Sequence, residues 1–291
     1  MSASLSVEGF FDPATGTVSY VVVDEATYCA ALIDPVLDFD GRSGRTHMHS
    51  ADRLLAYVRQ LDLKVQWILE THAHADHLSA ARYLQSQLGA RVGIGEHIRQ
   101  VQGAFNGLYN LGRDRAAHFD HLFREGETFR IGESIGSVLR VPGHTPADVA
   151  YRIADTVFVG DTLFMPDMGS ARADFPGGDA RTLYRSMRRL LEDLPPATRM
   201  FVCHDYPKGR EPAWETTVAR QRAENIHVRD GIEEQAFVAM RTARDATLEL
   251  PLLMLPAMQV NIRGGALPPV EDNGIAYLRI PLNAELLSSP R

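Results

Sequence analysis

Cysteine is nearly absent: Cys29 and Cys203 are the only two in 291 residues. One pair cannot make a disulfide framework or a cysteine-rich zinc site, and a reducing setting fits best. No apolar run approaches the roughly 20 residues of a membrane span. Met1-Ser2-Ala3-Ser4-Leu5-Ser6 has neither the basic nor the apolar region of a secretory leader. A cytoplasmic protein with no membrane partner is expected. Positive charge is also in deficit: 30 Lys and Arg stand against 37 Asp and Glu, a formal net charge of −7. Without a global positive field, nucleic acid is not an expected partner, and any anionic substrate needs a local basic pocket. Repeats and low-complexity segments are missing as well.

What the chain does have is apolar content, 45% of residues, enough for a large core. The runs Tyr20 to Val23 and Cys29 to Ile33, split by Asp24-Glu25, predict a hairpin. Ser50 is a candidate N-cap for a helix with Leu54, Leu55, Val58 and Leu61 on one face. A buried strand over Val65 to Leu69 follows, and helical character resumes over Ala80 to Leu88. Further strands are expected at Ser137–Val141, Val149–Ile153, Thr156–Val159 and Met200–Cys203. Asp179 is the expected N-cap of a helix whose inward face is Leu183, Met187, Leu190, Leu191 and Leu194, stopped by Pro195-Pro196. Two amphipathic helical patterns lie between Trp214 and Ala246, and the remainder is punctuated by Pro and Gly. The expected organisation is a catalytic core over 1–213 and a helical, loop-rich segment over 214–291 packed on it.

In the loop that begins at Thr71, two residues past the strand ending at Leu69, His72, His74, Asp76 and His77 place four ligand-capable side chains within six positions. That density is unlike a solvated surface run, and imidazole and carboxylate donors suit borderline transition metals. The strand-to-helix loop is also where open α/β folds place ligands. His144, Asp161 and His204 each follow a predicted strand and are the downstream candidates.

His72-Ala-His74-Ala-Asp76-His77 resembles the HxHxDH motif of the metallo-β-lactamase superfamily. Gly143-His144-Thr145, Gly160-Asp161-Thr162 and Cys203-His204-Asp205-Tyr206 follow in that superfamily's order, and the resemblance implies its αββα sandwich, an α/β fold. Within it, Pro142 to Pro146 and Gly160 to Phe164 look like the glyoxalase II and persulfide dioxygenase branch. Gly169 to Phe175 is similar to the G-R-T-D-F-like stretch of the persulfide dioxygenases. Two departures stand out: a longer loop over Asp38 to His49 and two extra residues between Asp161 and Arg172.

The resemblance implies one Fe(II) held by His72, His144 and Asp161, with O2 and glutathione persulfide as partners, in sulfide detoxification. Three coordination positions would stay open for the persulfide sulfur and O2. His74, Asp76, His77 and His204 would then surround the iron and orient the triad. The alternative within the superfamily is a glyoxalase II-like thioesterase with two Zn(II) ions. There His72, His74 and His144 hold one, Asp76, His77 and His204 the other, and Asp161 bridges. A metal or thiol sensor without turnover is a third possibility. Arg172 is the first candidate for gripping a glutathione carboxylate, with Tyr206 and Lys208 as helpers. A homodimer is the expected assembly.

His47 and His49 form an H-x-H pair, but their Gly- and Ser-rich setting predicts a surface loop. His97, His118, His121 and His227 lack partners at ligand spacing and are expected to be structural or surface residues. Cys203, at the end of an apolar strand, is expected to be a buried, inert thiol.

Overall fold

The structure, a computed structural model, describes residues 5–111 and 118–284. Met1 to Ser4 of the N-terminal reading and the last seven residues of the 214–291 segment lie outside the described residues. The first half runs β1 (Leu5–Asp12), β2 (Thr17–Asp24), β3 (Cys29–Ile33), β4 (Val36–Asp40), β5 (Arg45–His47), α1 (His49–Gln60), β6 (Lys64–Leu69), β7 (Leu78–Ser79), α2 (Ala81–Leu88), β8 (Arg91–Gly95), α3 (Ile98–Tyr109) and β9 (His121–Phe123). The second half runs β10 (Thr128–Ile131), β11 (Ser134–Arg140), β12 (Val149–Ile153), β13 (Thr156–Phe158), a 3-10 turn at Gly160–Thr162, α4 (Ala180–Asp193), β14 (Arg199–Phe201), β15 (Glu215–Thr217), α5 (Val218–Glu224), α6 (Glu234–Asp245) and α7 (Met254–Asn261).

Two six-stranded sheets result, ordered β1-β2-β3-β6-β8-β9 and β10-β11-β12-β13-β14-β15, with a small β5-β4-β7 sheet beside the first. Alternation along β2 explains the layering. Val21 and Val23 face a core shared with Leu54, Leu55 and Val58 of α1. Val18, Tyr20 and Val22 face the second sheet through Val138, Tyr151 and Phe158. Both faces of the strand are therefore buried, which its continuous apolar run requires. On the far side of the second sheet, Ala150, Val157 and Val159 pack on Leu183, Met187, Leu190 and Leu191 of α4. Helices, sheet, sheet and helices make an αββα sandwich.

The predicted hairpin pairs Tyr20 with Ile33 and Asp24 with Cys29. α4 begins as expected, with Asp179 accepting from the Thr182 N–H at 2.7 Å. α1 departs from expectation at both ends. It starts at His49 with Met48 at the cap position, and Ser50 lies inside the first turn. Its amide and hydroxyl both donate to Asp38, at 2.9 and 2.7 Å, so the aspartate of β4 satisfies this helix start. Leu61 is the C-cap and is 39% exposed rather than inward, because the helix ends one residue before it. The second sheet takes its edge strand β15 from residues beyond position 213.

Candidate metal centre

The ligand-capable residues singled out by their strand-end position lie at one edge of the two sheets, joined there by Asp34. Asp34 follows β3, the Thr71 to His77 loop follows β6, His144 follows β11, Asp161 lies in the turn after β13, and His204 follows β14. Carboxyl ends of strands are where such folds place ligands, and here both sheets contribute. The two are stitched together by a bridge between Thr17 and His204 and by the Val18 N–H donating to the Cys203 carbonyl at 2.7 Å.

His72, His144 and Asp161 offer ligand atoms within 4.8 Å of one another, and so do His74, Asp76 and His77. Asp161 Oδ2 lies 3.5 Å from His144 Nε2 and 3.8 Å from His72 Nε2, while its Oδ1 lies 3.3 Å from His204 Nε2. Asp76 Oδ2 is 3.4 Å from both His204 Nε2 and His77 Nδ1. His72, His74, His77 and His204 are all buried to within 1%.

Hydrogen bonding fixes which nitrogen of three rings faces inward. Thr71 gives its hydroxyl proton to Asp34 Oδ2 at 2.8 Å, so it can only accept from His72 Nδ1 at 3.0 Å, which leaves His72 Nε2 with a lone pair. His74 donates from Nε2 to Asp34 Oδ1 at 3.0 Å, leaving Nδ1. His144 donates from Nδ1 to the Arg172 carbonyl at 2.8 Å, leaving Nε2. These are the partners that hold metal-ligating histidines in one tautomer and orientation.

Among the described residues, buried atoms at the centre without a hydrogen-bond partner include His72 Nε2, His74 Nδ1, His77 Nε2, His204 Nε2 and Asp161 Oδ1. Orphaned polar atoms at such density would be costly in a protein that bound nothing there. Borderline divalent cations accept this donor set, so the residues fit a transition metal. The electrostatics agree. Burial, then the neighbouring His74 and His144, holds His72 well below the usual histidine range, so its ring is neutral and free to ligate. Asp76 stays ionised despite burial because His204 and His77 flank it. For His74, burial lowers the ring's pKa but the Asp34 carboxylate outweighs it and raises it well above the usual range, so Asp34 stabilises positive charge there, whether a second ring proton or a cation held at Nδ1.

A cleft of ≈ 230 Å³ opens over Asp76, His144 and Asp161. Phe164, Met168, Leu248 and Pro251 supply its apolar lining, and Arg172, Arg241 and Arg244 its cationic lining. Another cavity, ≈ 250 Å³, lies between α3, α7 and the segment around Pro268 to Arg279, and contains none of the clustered residues.

The predicted substrate residues are placed unequally. Arg172 lines the cleft, but its guanidinium is occupied by Asp174 and by the Glu249 carbonyl, to which Nη1 donates at 2.7 Å. Tyr206 also lines it, stacked on His204 with ring centroids 5.7 Å apart and 8° between planes. Lys208 is exposed and is not among the cleft-lining residues. Sequence reasoning missed Arg241 and Arg244. Arg241 is 2% exposed and paired with Asp245, whereas Arg244 is exposed at the cleft. Both fall on the last turns of α6, whose pattern promised an ordinary amphipathic helix. Asp34 and Asn261 were missed too, since neither lies near the motif in sequence.

The remaining histidines take bland places. His47 and His49 are exposed, stacked at 5.5 Å. His121 pairs with Glu127 at 2.5 Å, and His97 occupies the cap position of α3. His227 is buried and accepts the Ser170 N–H at 3.0 Å. Cys203 is 1% exposed, and burial, with Asp34 beside it, raises its thiol well above the usual range.

An αββα sandwich with imidazoles and carboxylates gathered at the shared sheet edge defines a metal-binding class of protein. The chain belongs to the metallo-beta-lactamase superfamily, whose profile matches residues 13–204. It is 53% identical to a probable metallo-hydrolase of Burkholderia pseudomallei, covering 96% of this chain and 100% of that one. To a protein named glyoxylase B2 in Dictyostelium discoideum it is 48% identical, over 97% and 99%. Persulfide dioxygenase ETHE1 of Mus musculus is 30% identical over 70% of each chain. Among solved structures, ETHE1 from Myxococcus xanthus superposes with a TM-score of 0.72 at 31% identity, over 90% of this chain and 100% of that one. Among the described residues no helix is long and apolar enough to cross a membrane.

Proposed function

We propose that this chain is a persulfide dioxygenase. It oxidises glutathione persulfide with O2 at one iron(II) held by His72, His144 and Asp161. The observation that carries this reading is its likeness, at about three residues in ten, to the ETHE1 proteins along nearly the whole length of the solved one. The overall change is balanced by one water: the terminal sulfane sulfur gives four electrons to O2 and leaves as sulfite, and the glutathione thiol is released. A bound iron(II) would supply the one-electron steps that triplet O2 needs.

The chain's own residues do the rest. Thr71, Asp34 and the Arg172 carbonyl hold the tautomers that aim imidazole lone pairs inward. In this reading Phe164 and Met168 of the cleft lining would shield the sulfur from water, and the arginines of the same lining would meet the two carboxylates of glutathione. Arg244 is better placed than Arg172 to take one, because among the described residues no side-chain hydrogen-bond partner engages its guanidinium whereas that of Arg172 is paired.

A second reading, a two-zinc hydrolase of glutathione thioesters, draws on one specific observation. Asp76 Oδ2 has the orphaned His204 Nε2 at 3.4 Å and His77 Nδ1 at the same distance, donors that a second metal would require. The name of one relative, a probable metallo-hydrolase, points the same way. Metal analysis with oxygen-electrode assays separates the two. One iron per chain and O2 uptake with glutathione persulfide are expected. Two zincs per chain, no O2 uptake and hydrolysis of S-lactoylglutathione would replace the first reading with the second.

A further inference from the structure

The metal-bearing loop is pinned from outside the stretch that carries the family motifs. Asn261, the last residue of α7 and 4% exposed, spends its entire side-chain amide on that loop. Nδ2 donates to the carbonyls of His74 and His77, each at 2.7 Å, and Oδ1 accepts the Ser79 N–H at 2.8 Å. Two donors and one acceptor thus close on three backbone groups within six residues, and those groups flank His74, Asp76 and His77. Ser79 passes the restraint on. Its hydroxyl donates to Glu70 Oε1, and Glu70 Oε2 lies 3.5 Å from His74 Nε2 on the side where Asp34 also binds. Behind α7, Gly265 packs so closely that a Cβ there would sit 2.8 Å from the Ser79 carbonyl, which holds the helix end against the loop.

We propose that Asn261 is a positioning residue of the metal centre, setting the backbone from His74 to Ser79 and, through Ser79 and Glu70, the tilt of the His74 ring. The superfamily match stops at residue 204, so this assigns part of the metal site to the C-terminal segment. It holds equally for a one-metal or a two-metal enzyme, and its test is independent of turnover.

Gln259 provides the control. It lies on the same helix, is 1% exposed, and spends its amide on Leu255 and Arg279 instead of the loop. Cobalt(II) is titrated into chelator-treated wild type, Asn261→Ala and Gln259→Ala, with affinity read by chelator competition and ligand geometry by the visible spectrum. Asn261→Ala is expected to weaken cobalt about 10- to 100-fold and to alter the spectrum. Gln259→Ala is expected to lower thermal stability while keeping wild-type affinity and spectrum. Wild-type cobalt binding by Asn261→Ala, or equal losses in both variants, would overturn the assignment. Hydrogen exchange on the wild-type protein gives a second measurement that needs no variant to fold. Because coupling is reciprocal, cobalt loading is expected to slow exchange across α7 as well as the loop. Protection confined to the loop would refute it.

Discussion

The guanidinium of Arg172 lies against the carboxylate of Asp174, Nε donating to Oδ1 at 2.5 Å and Nη2 to Oδ2 at 2.7 Å. Two-point pairing of this kind is directional and competes with any incoming carboxylate. The same residue's carbonyl accepts the His144 Nδ1 proton, so the pair braces the strand of chain that orients a candidate ligand.

Arg172→Ala is therefore expected to act on the metal. Chelator competition should show several-fold weaker binding, with loss of kcat. Arg244→Ala should leave metal affinity unchanged and raise KM for glutathione persulfide about tenfold, the cost of one exposed charge-assisted contact. A KM effect confined to Arg172→Ala would reverse these roles.

Much of this arrangement was legible in the sequence, because apolar strands ending in His or Asp set the order of ligand loops, and Asp179 announced α4. Other parts left little trace. α7 buries Met254, Ala257, Met258, Gln259, Val260 and Asn261 around its circumference, so it shows no apolar stripe, and Pro256 in its first turn looks like a breaker. β1 is half-buried along most of its length and β15 is only three residues long. Arg241 and Asn261 matter through contacts more than 70 positions away, to Ser170 and to the His74 loop, and periodicity does not register such pairings.

Asp161 lies within 4 Å of three of the clustered histidines, His72, His144 and His204. Asp161→Ala should lower metal affinity by more than about 100-fold, beyond what loss of a supporting contact gives. Asp76→Ala divides the two functional readings. A one-iron enzyme should retain its full metal content in this variant, measured by emission spectrometry, whereas a two-zinc enzyme should drop from two ions to one.

Acid stability should report on His227. Burial, followed by Arg241 and Arg244, holds its ring down to about 4, and Nδ1 must stay unprotonated to accept the Ser170 N–H. The unfolded chain, titrating near 6.5, takes up that proton first as pH falls. Stability from this group is thus present above about 6.5 and is lost toward 4, with a full size of about 3 kcal/mol. Urea midpoints for wild type and His227→Gln should converge as pH drops from 7 to 4.5. Curves that stay parallel would remove His227 from the account.

Gly143 shows why the motif around His144 needs a residue without a side chain. Its φ of 146° is strained for any L side chain, and a Cβ would lie 2.2 Å from the Leu183 Cα. That atom belongs to the backbone of α4, whose N-cap amide donates to the Gly143 carbonyl at 2.9 Å, so neither side can step aside alone. Relief would push α4 off the second sheet or move His144 away from Asp161. Gly143→Ala should cost about 3 kcal/mol or more in unfolding free energy, from overpacking added to backbone strain. The loss should appear in metal affinity as well as in the urea midpoint, because the displaced segment carries a ligand. A variant with full metal affinity and only reduced stability would place the whole adjustment in α4 and leave His144 where it is.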